Sequence, residues 1–309
     1  QVFNEDFLDD IGANKLDHAI KYVSNVTAGD QRSDGGINIR GFGPTIYQDG
    51  LSYNFSNGFR ALDGIERIEV IKGASAALYD TTALGGIINF IHKRPHQEKE
   101  TEVAVTVGEH SFYKGVIDHN QPLMEGDNLS VNSRFILSYE DSESWRPFSF
   151  VEKLYFMPSI EFNFNDKTIV NFRLEYQEDD TQQNFAQPYI FLGTPPADTP
   201  SQATLDAFSG GTLVNLPHGF MRGEPTDGKD MEATNAAVTV THWFNPQWSM
   251  RFALAAAEID QERLETFISA PQGSVAVWPR FQQDIPVDFY GVSSEVSLVG
   301  TFDTGAVTH

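Results

Sequence analysis

His92 and His96 are the one histidine pair at four-residue spacing, the spacing that sets two imidazoles on one helical face to hold a divalent metal. Lys93-Arg94-Pro95 lies between them, and the proline argues against the continuous helix that such a site needs. Glu178-Asp179-Asp180 offers oxygen ligands for a hard cation such as calcium, although a solvated acidic strand end is the plainer reading. The chain has no cysteine, which removes thiolate nucleophiles, thiolate metal sites and disulfides together. It contains neither a GxSxG elbow nor a phosphate-cradling GxxxxGK[ST] loop. The expectation is a protein that is not an enzyme and carries no intrinsic cofactor or resident metal.

The charge balance narrows the partners. The formal net charge of −22 lacks the clustered cations that phosphate neutralisation requires, so no nucleic-acid partner is expected. Aromatic residues make up 12% and charged residues 21%, too apolar a mixture for a disordered acidic chain. No window approaches the ~18 uninterrupted apolar residues of a spanning helix. Membrane strands alternate apolar and polar side chains, so a mean hydropathy of −0.32 says nothing against a membrane barrel. The start, QVFNEDFLDD, has no signal peptide; any such segment is expected to have been removed or to lie outside the chain.

The acidity is uneven, with a net of −4 over residues 1–100 and −18 over 101–309. The opening segment is dense in turn signals (Asp34-Gly35-Gly36, Asp49-Gly50, Gly85-Gly86) and reads as a compact α+β globule. Glu5 to Val23 suits two short amphipathic helices broken near Gly12, and Ile65–Ile71 and Gly86–Ile91 are strand candidates. Gly41, Gly73, Gly85 and Gly86 are read as turn residues. From Thr101 the apolar period becomes two. Eight strands follow, cleanest at Leu129–Tyr139 and Val170–Tyr176, with a ninth expected near Ala306. Short connections (Pro122–Asp127, Asn165–Lys167, Asn245–Gln247, Phe302–Gly305) alternate with long ones (Asp141–Glu152, Glu178–Asp230, Leu264–Pro286). That alternation is the layout of an up-and-down outer-membrane barrel, with tight turns on one side and extended loops on the other. Trp145, Tyr155, Trp243 and Trp248 near strand ends suit interfacial girdles. An eight-stranded barrel cannot hold a hundred-residue globule, so an incomplete barrel is expected.

Ile39-Arg40-Gly41-Phe42, Tyr47-Gln48-Asp49-Gly50-Leu51, the run from Ile65 to Asp80, Gly85-Gly86-Ile87-Ile88-Asn89 and Lys93-Arg94-Pro95 follow one another in order. Together they resemble the plug domain of TonB-dependent outer-membrane receptors, with the ferric-siderophore receptors as the nearest subgroup. Ala74 stands where that family often has proline, and Asp80 where it usually has glycine. The resemblance implies a mainly β chain: an α+β plug domain (1–97), then antiparallel up-and-down transmembrane barrel strands (98–309), about eight or nine of roughly twenty-two. It implies a fragment, whose TonB-gripping box lies upstream of Gln1 and whose other strands lie downstream. Implied partners are TonB with ExbB and ExbD, a ferric chelate as transported ligand, and outer-membrane lipid of a Gram-negative bacterium.

By the same resemblance, the loop after Asp49-Gly50 reaches the outward apex of the plug, making Tyr53, Asn54, Phe55, Asn57 and Arg60 ligand contacts. Aromatic faces and amides suit a flat, polar chelate shell, and Arg60 would pair with anionic oxygens. Gly43, Pro44 and Thr45 are further apex candidates. Arg40, Arg67 and Glu66 are assigned to a plug–barrel lock of the arginine–glutamate kind, because a buried guanidinium needs a partner; an ordinary surface ion pair is the alternative. The long Asp180–Asp230 connection, with Pro188, Tyr189, Phe191, Phe208 and Phe220, is expected to form an ordered outer lid, or else a shield over the rim. Haem, cobalamin or glycan import, a passive channel or structural barrel, and a soluble β-rich binding protein remain the competing readings.

Overall fold

The computed structural model describes every residue except 14–15, 29–36, 53–60, 74–83, 146, 183–190, 193–211, 214–222, 269–279, 302, 305–306 and 309. Chain order begins β1 (Val2–Asn4), α1 (Glu5–Asp10), α2 (Leu16–Ile20), β2 (Val26–Ala28), β3 (Ile37–Ile39), β4 (Thr45–Gln48), β5 (Leu51–Ser52), β6 (Ile65–Ile71) and β7 (Ile87–His92). The two helices fall where the spacing put them: Asn4 caps α1 by accepting from Phe7 N–H, and Gly12 breaks the run with φ of +60°. A five-stranded sheet in the order β1-β6-β7-β4-β5 is antiparallel except at the β4–β7 pair. Ile20, Ile39, Ile68, Ile88 and Phe90, each at most 1% exposed, join the helices to this sheet in one apolar core. Each such side chain contributes about 1.5–3 kcal/mol by leaving water.

A second sheet follows: β8 (Glu100–Gly108), β9 (Phe112–Met124), β10 (Leu129–Glu143), β11 (Phe150–Phe164), β12 (Thr168–Gln182), β15 (Gly228–Asn245), β16 (Trp248–Ile268), β17 (Arg280–Asp284) and β18 (Val287–Gly300). Two-residue strands β13 (Phe191–Leu192) with β14 (Thr212–Leu213), and β19 (Asp303–Thr304) with β20 (Val307–Thr308), pair locally. The nine strands form an antiparallel meander in sequence order that does not close on itself. Eight of them are those read from the alternation. The further one, β17, pairs with Leu264–Ile268 of β16, while β18 pairs with Trp248–Gln261 of the same strand.

The two faces of this wall are inverted relative to a water-soluble sheet. On the outer face Val103, Val105, Ile117, Phe135, Leu137, Phe156, Phe172, Leu174, Val292 and Val296 are all exposed. On the inner face Asp118, Asn132, Ser138, Glu140, Asn171, Arg173, Glu175, Gln177 and Asn235 are buried. In β12 the outward apolar set Val170, Phe172, Leu174 and Tyr176 spans six residue steps, roughly 20 Å of strand. Beyond it the outward positions turn acidic (Glu152, Glu178, Asp180, Asp230, Glu232, Asp260, Glu262), which places them above the apolar band. Among the described residues no helix is long and apolar enough to cross a membrane; an exposed band of this kind belongs in lipid, crossed by strands.

Three expectations change. Strands extend further than the alternation suggested, β10 to Glu143 beyond Tyr139 and β16 to Ile268 beyond Ala256, so the Asp141–Glu152 connection shrinks to residues 144–149. Tyr155 is no girdle residue: it faces inward, 2% exposed, and packs with Ala61, Ile136 and Met157. Glu178-Asp179-Asp180 is not a shared carboxylate patch, because strand geometry splits it: Asp179 points inward, fully buried beside Gln177, and its neighbours point outward. Ala74, Asp80, Ala306 and the side chains named in the long outer connection lie outside the described residues.

Candidate functional site

The globule sits against the polar face of the wall, and the two are joined by a buried seam of charge. β4 and β5 meet at a two-residue turn, with Asp49 at φ +48° and Gly50 at φ +84°. Positive φ at both central positions is the turn that matches strand twist, and Asp-Gly is a favoured sequence for it. Gly50 N–H donates to Asn89 Oδ1 at 3.1 Å, which fixes the turn against β7. The Asp49 carboxylate is thereby aimed at two partners. His92 of β7 meets it through backbone N–H to Oδ1 (3.0 Å) and Nδ1 to Oδ2 (2.9 Å). The guanidinium of Arg173, from β12, donates to Oδ2.

Glu175 completes the group. Its Oε1 lies 3.1 Å from Arg173 Nε and 3.2 Å from His92 Nε2, close enough for ion pairing though not in hydrogen-bond alignment, and its Oε2 accepts from Tyr155 Oη at 3.3 Å. None of the four side chains Asp49, His92, Arg173 and Glu175 exceeds 9% exposure. Burial alone would raise the Asp49 carboxyl, but Arg173 and His92 beside it hold it well below the usual carboxylate range. Arg251 of β16 donates to the Asp49 carbonyl at 2.5 Å.

Flanking contacts tie the rest of the globule to successive strands. Asp63 accepts from Lys114 of β9 (2.7 Å) and Ser138 of β10 (2.8 Å); Ala61 N–H donates to Gln177 of β12 (3.2 Å). Asn235 of β15 donates to Gln48 (2.9 Å), and Ser293 of β18 to the Ser52 carbonyl (2.8 Å). Lys93 bridges Glu5 (2.5 Å) and Asp118 of β9 (3.1 Å), and Arg134 grips the same Asp118 at 2.7 and 2.6 Å. Burial would lower the Lys93 ammonium, yet Glu5 and Asp118 raise it, so it stays charged.

The backbone comes close to the wall at Gly64: a Cβ there would stand 2.2 Å from Tyr155 Oη and 3.0 Å from Met157 Sδ. Both side chains are buried, so neither has room to yield. Gly64→Ala is therefore expected to weaken seating of the globule by about 1–3 kcal/mol, through the clash itself and through displacement of the Tyr155 hydroxyl that donates to Glu175. Urea titration with a cysteine at Ala61 as reporter would show it as a lower midpoint; an unchanged midpoint would mean the contact is loose.

The expected site residues fall as follows. Tyr53, Asn54, Phe55, Asn57 and Arg60 lie outside the described residues. Gly43 is exposed and Pro44 and Thr45 half-buried, where the chain enters β4. Arg40 is exposed at φ +56°, and its guanidinium lies beside Gly73; among the described residues it makes no ion pair with the wall. Arg67 is half-exposed and pairs with Glu66 (2.6 Å) and Glu69 (2.9 Å) of its own strand. The ionic seam thus runs through other residues, with an acid on the globule and the arginine on the wall. His92 and His96 do not converge: His96 Nε2 lies 3.6 Å from Glu100, away from the seam. The available signal was the polar face of β12, where Arg173 and Glu175 place both charge signs two residues apart, inside a barrel whose interior a globule must fill.

Comparison with known proteins agrees with this architecture. Residues 1–87 match the family model of the TonB-dependent receptor plug domain. The chain is 26% identical over 251 residues to the metal-pseudopaline receptor CntO of Pseudomonas aeruginosa, covering 79% of this chain and 32% of that receptor. It is 26% identical over 326 aligned positions to the catecholate siderophore receptor Fiu of Escherichia coli strain UTI89, covering 100% of this chain and 42% of that one. The pyoverdine outer membrane receptor FpvA of Pseudomonas aeruginosa PAO1 superposes with a TM-score of 0.83 at 21% identity, over 100% of this chain and 44% of FpvA, a likeness of fold. The chain therefore spans about a third to under a half of the length of these three receptors.

Proposed function

We propose, from a chain that opens with a TonB-dependent receptor plug domain and continues as the barrel strands that follow it in siderophore receptors, that the whole protein imports a ferric siderophore across the outer membrane of a Gram-negative bacterium. One observation carries the reading: the plug is seated by buried polar and charged contacts on the inner face of a wall whose outer face is an exposed apolar band. A gate inside a lipid-facing cylinder is a device for admitting one ligand while excluding bulk passage. A passive channel has no use for it.

In this reading residues 1–97 are the gate and 98–309 part of the wall. The ferric chelate is cargo, held by shape, aromatic faces and hydrogen bonds, with no bond made or broken by the protein. Tyr53, Asn54, Phe55, Asn57 and Arg60, with Gly43 and Pro44, are the proposed contacts. TonB, driven with ExbB and ExbD by the inner-membrane proton gradient, supplies the work of opening. That work has an identifiable point of resistance, since Asp49 and His92 ride on the plug while Arg173 and Glu175 belong to the wall. Arg40, Arg67 and Glu66 remain proposed contributors to the lock, reaching barrel residues outside this chain.

The test is growth of an iron-starved, receptor-null strain carrying the full-length parent, supplied with a panel of ferric chelates. Rescue by at least one chelate, lost when tonB is deleted, is expected. Rescue by none, together with uptake of haem, cobalamin or a glycan, would reject the iron assignment.

A further inference from the structure

Residues 93–98 carry the chain from the globule to the wall, and their hydrogen bonds divide at Lys93. The Lys93 N–H still belongs to the globule, donating to the Gly64 carbonyl at 3.0 Å. Beyond it the partners change. Arg134 of β10 donates to the Arg94 carbonyl at 3.2 Å. Asn120 of β9 accepts from His96 N–H at 3.0 Å and donates to the His96 and Glu98 carbonyls at 2.7 and 2.5 Å. Among the described residues, residues 94–98 make no hydrogen bond to the globule.

The segment is extended but lies in no sheet, so its peptide groups need partners from elsewhere. A side-chain amide carries one carbonyl and two N–H donors, and Asn120 gives all of them to the linker. Its backbone pairs with Glu100, the first residue of β8, so one residue holds both ends of the turn from His96 to Glu100. Asn120 is 1% exposed and Pro95 is buried, which keeps competing water from the clamp. Arg134 is itself braced by Asp118 at 2.7 and 2.6 Å. Lys93 alone faces both ways, to Glu5 of α1 and to Asp118 of β9.

We infer that the gate has a fixed end: residues 94–98 stay on β9 and β10 when the plug parts from the wall, and Asn120 is the positioning residue that keeps them there. The moving part then ends at Lys93, which gives up Glu5 on parting and keeps Asp118. A displaced plug remains on a short tether beside its own seat, and a short tether keeps the effective concentration for reseating high. The inference rests on the globule being a gate. Its test needs neither chelate nor TonB, so its failure and failure of the iron assignment are read in separate experiments.

Two backbone amides form a matched pair. Ala61 N–H donates to the side-chain carbonyl of Gln177 on the wall, and His96 N–H to that of Asn120, so the first reports parting of plug and wall and the second reports the linker. Hydrogen exchange of the full-length receptor in lipid vesicles is followed at single-residue resolution through a urea titration, each rate divided by its intrinsic sequence rate. Where Ala61 exchanges freely, His96 is expected to be slower by about tenfold or more, since several hydrogen bonds must open together. In Asn120→Ala the two normalised rates should converge, a change in their ratio that general destabilisation does not produce. Coincident exchange of Ala61 and His96 in the parent, or a ratio unchanged by Asn120→Ala, would overturn the inference.

Discussion

Arg173→Met should free the plug at much lower urea than the parent requires, by the equivalent of about 3–5 kcal/mol, because it takes the shared guanidinium away from two buried carboxylates. At 25 °C that is a change of at least a hundredfold in the open-to-closed ratio. Methionine keeps most of the side-chain volume, so the loss is one of charge and hydrogen bonds, not of packing. The pairing also predicts a partial cure. Asp49→Asn added to Arg173→Met removes one of the stranded charges, and the double variant should seat its plug more firmly than Arg173→Met alone. A double-mutant cycle read by maleimide reactivity at Ala61→Cys would measure the coupling. If Arg173→Met seats its plug like the parent, the seam is not what resists opening.

Leu174→Arg should cripple folding into lipid vesicles, costing about 2–4 kcal/mol, since Leu174 lies in the middle of the outward apolar set of β12 and is 42% exposed. The cost comes from the depth of the site in hydrocarbon, and it distinguishes a membrane wall from a soluble sheet, where an exposed Leu→Arg change is close to neutral. Glu178→Arg, four residues along the same face, is the control: it sits above the apolar band and should insert normally. Equal insertion of both variants would place Leu174 in water.

The fold was legible wherever one face of a strand was apolar and the other polar. Val170–Tyr176 alternates without a break and Leu129–Tyr139 with exceptions at Ser133 and Ile136, and both lie within the strands found. Strand ends were not legible, because above the apolar band both faces become polar: Glu178, Asp179 and Asp180 carry the same chemistry on opposite sides of β12. β17 was hidden for a related reason, since β16 is 21 residues long and serves two partners in succession, a division that no local pattern in Arg280–Asp284 announces.

The seam was harder still. Asp49 reads as a turn residue, which it also is, and Arg173 reads as one polar position of an alternating strand. Their meeting spans 124 residues of sequence and depends on which inner-face residues a folded globule reaches. Tyr155 shows the same limit. An aromatic residue near a strand end looks like an interfacial ring, and only its parity with Gln177, its inward-facing partner across β11 and β12, turns it towards the plug.

The claim on which the rest depends is that alternate side chains of the wall touch hydrocarbon and plug. A nitroxide placed in turn at each position from 170 to 177 in the full-length receptor, reconstituted in lipid, measures it through collision with oxygen and with a water-soluble nickel chelate. Positions 170, 172, 174 and 176 should be reached by oxygen and shielded from nickel, and positions 171, 173, 175 and 177 should be shielded from both. Nickel access to the even positions equal to that of an exposed soluble residue, or no period of two, would contradict the account.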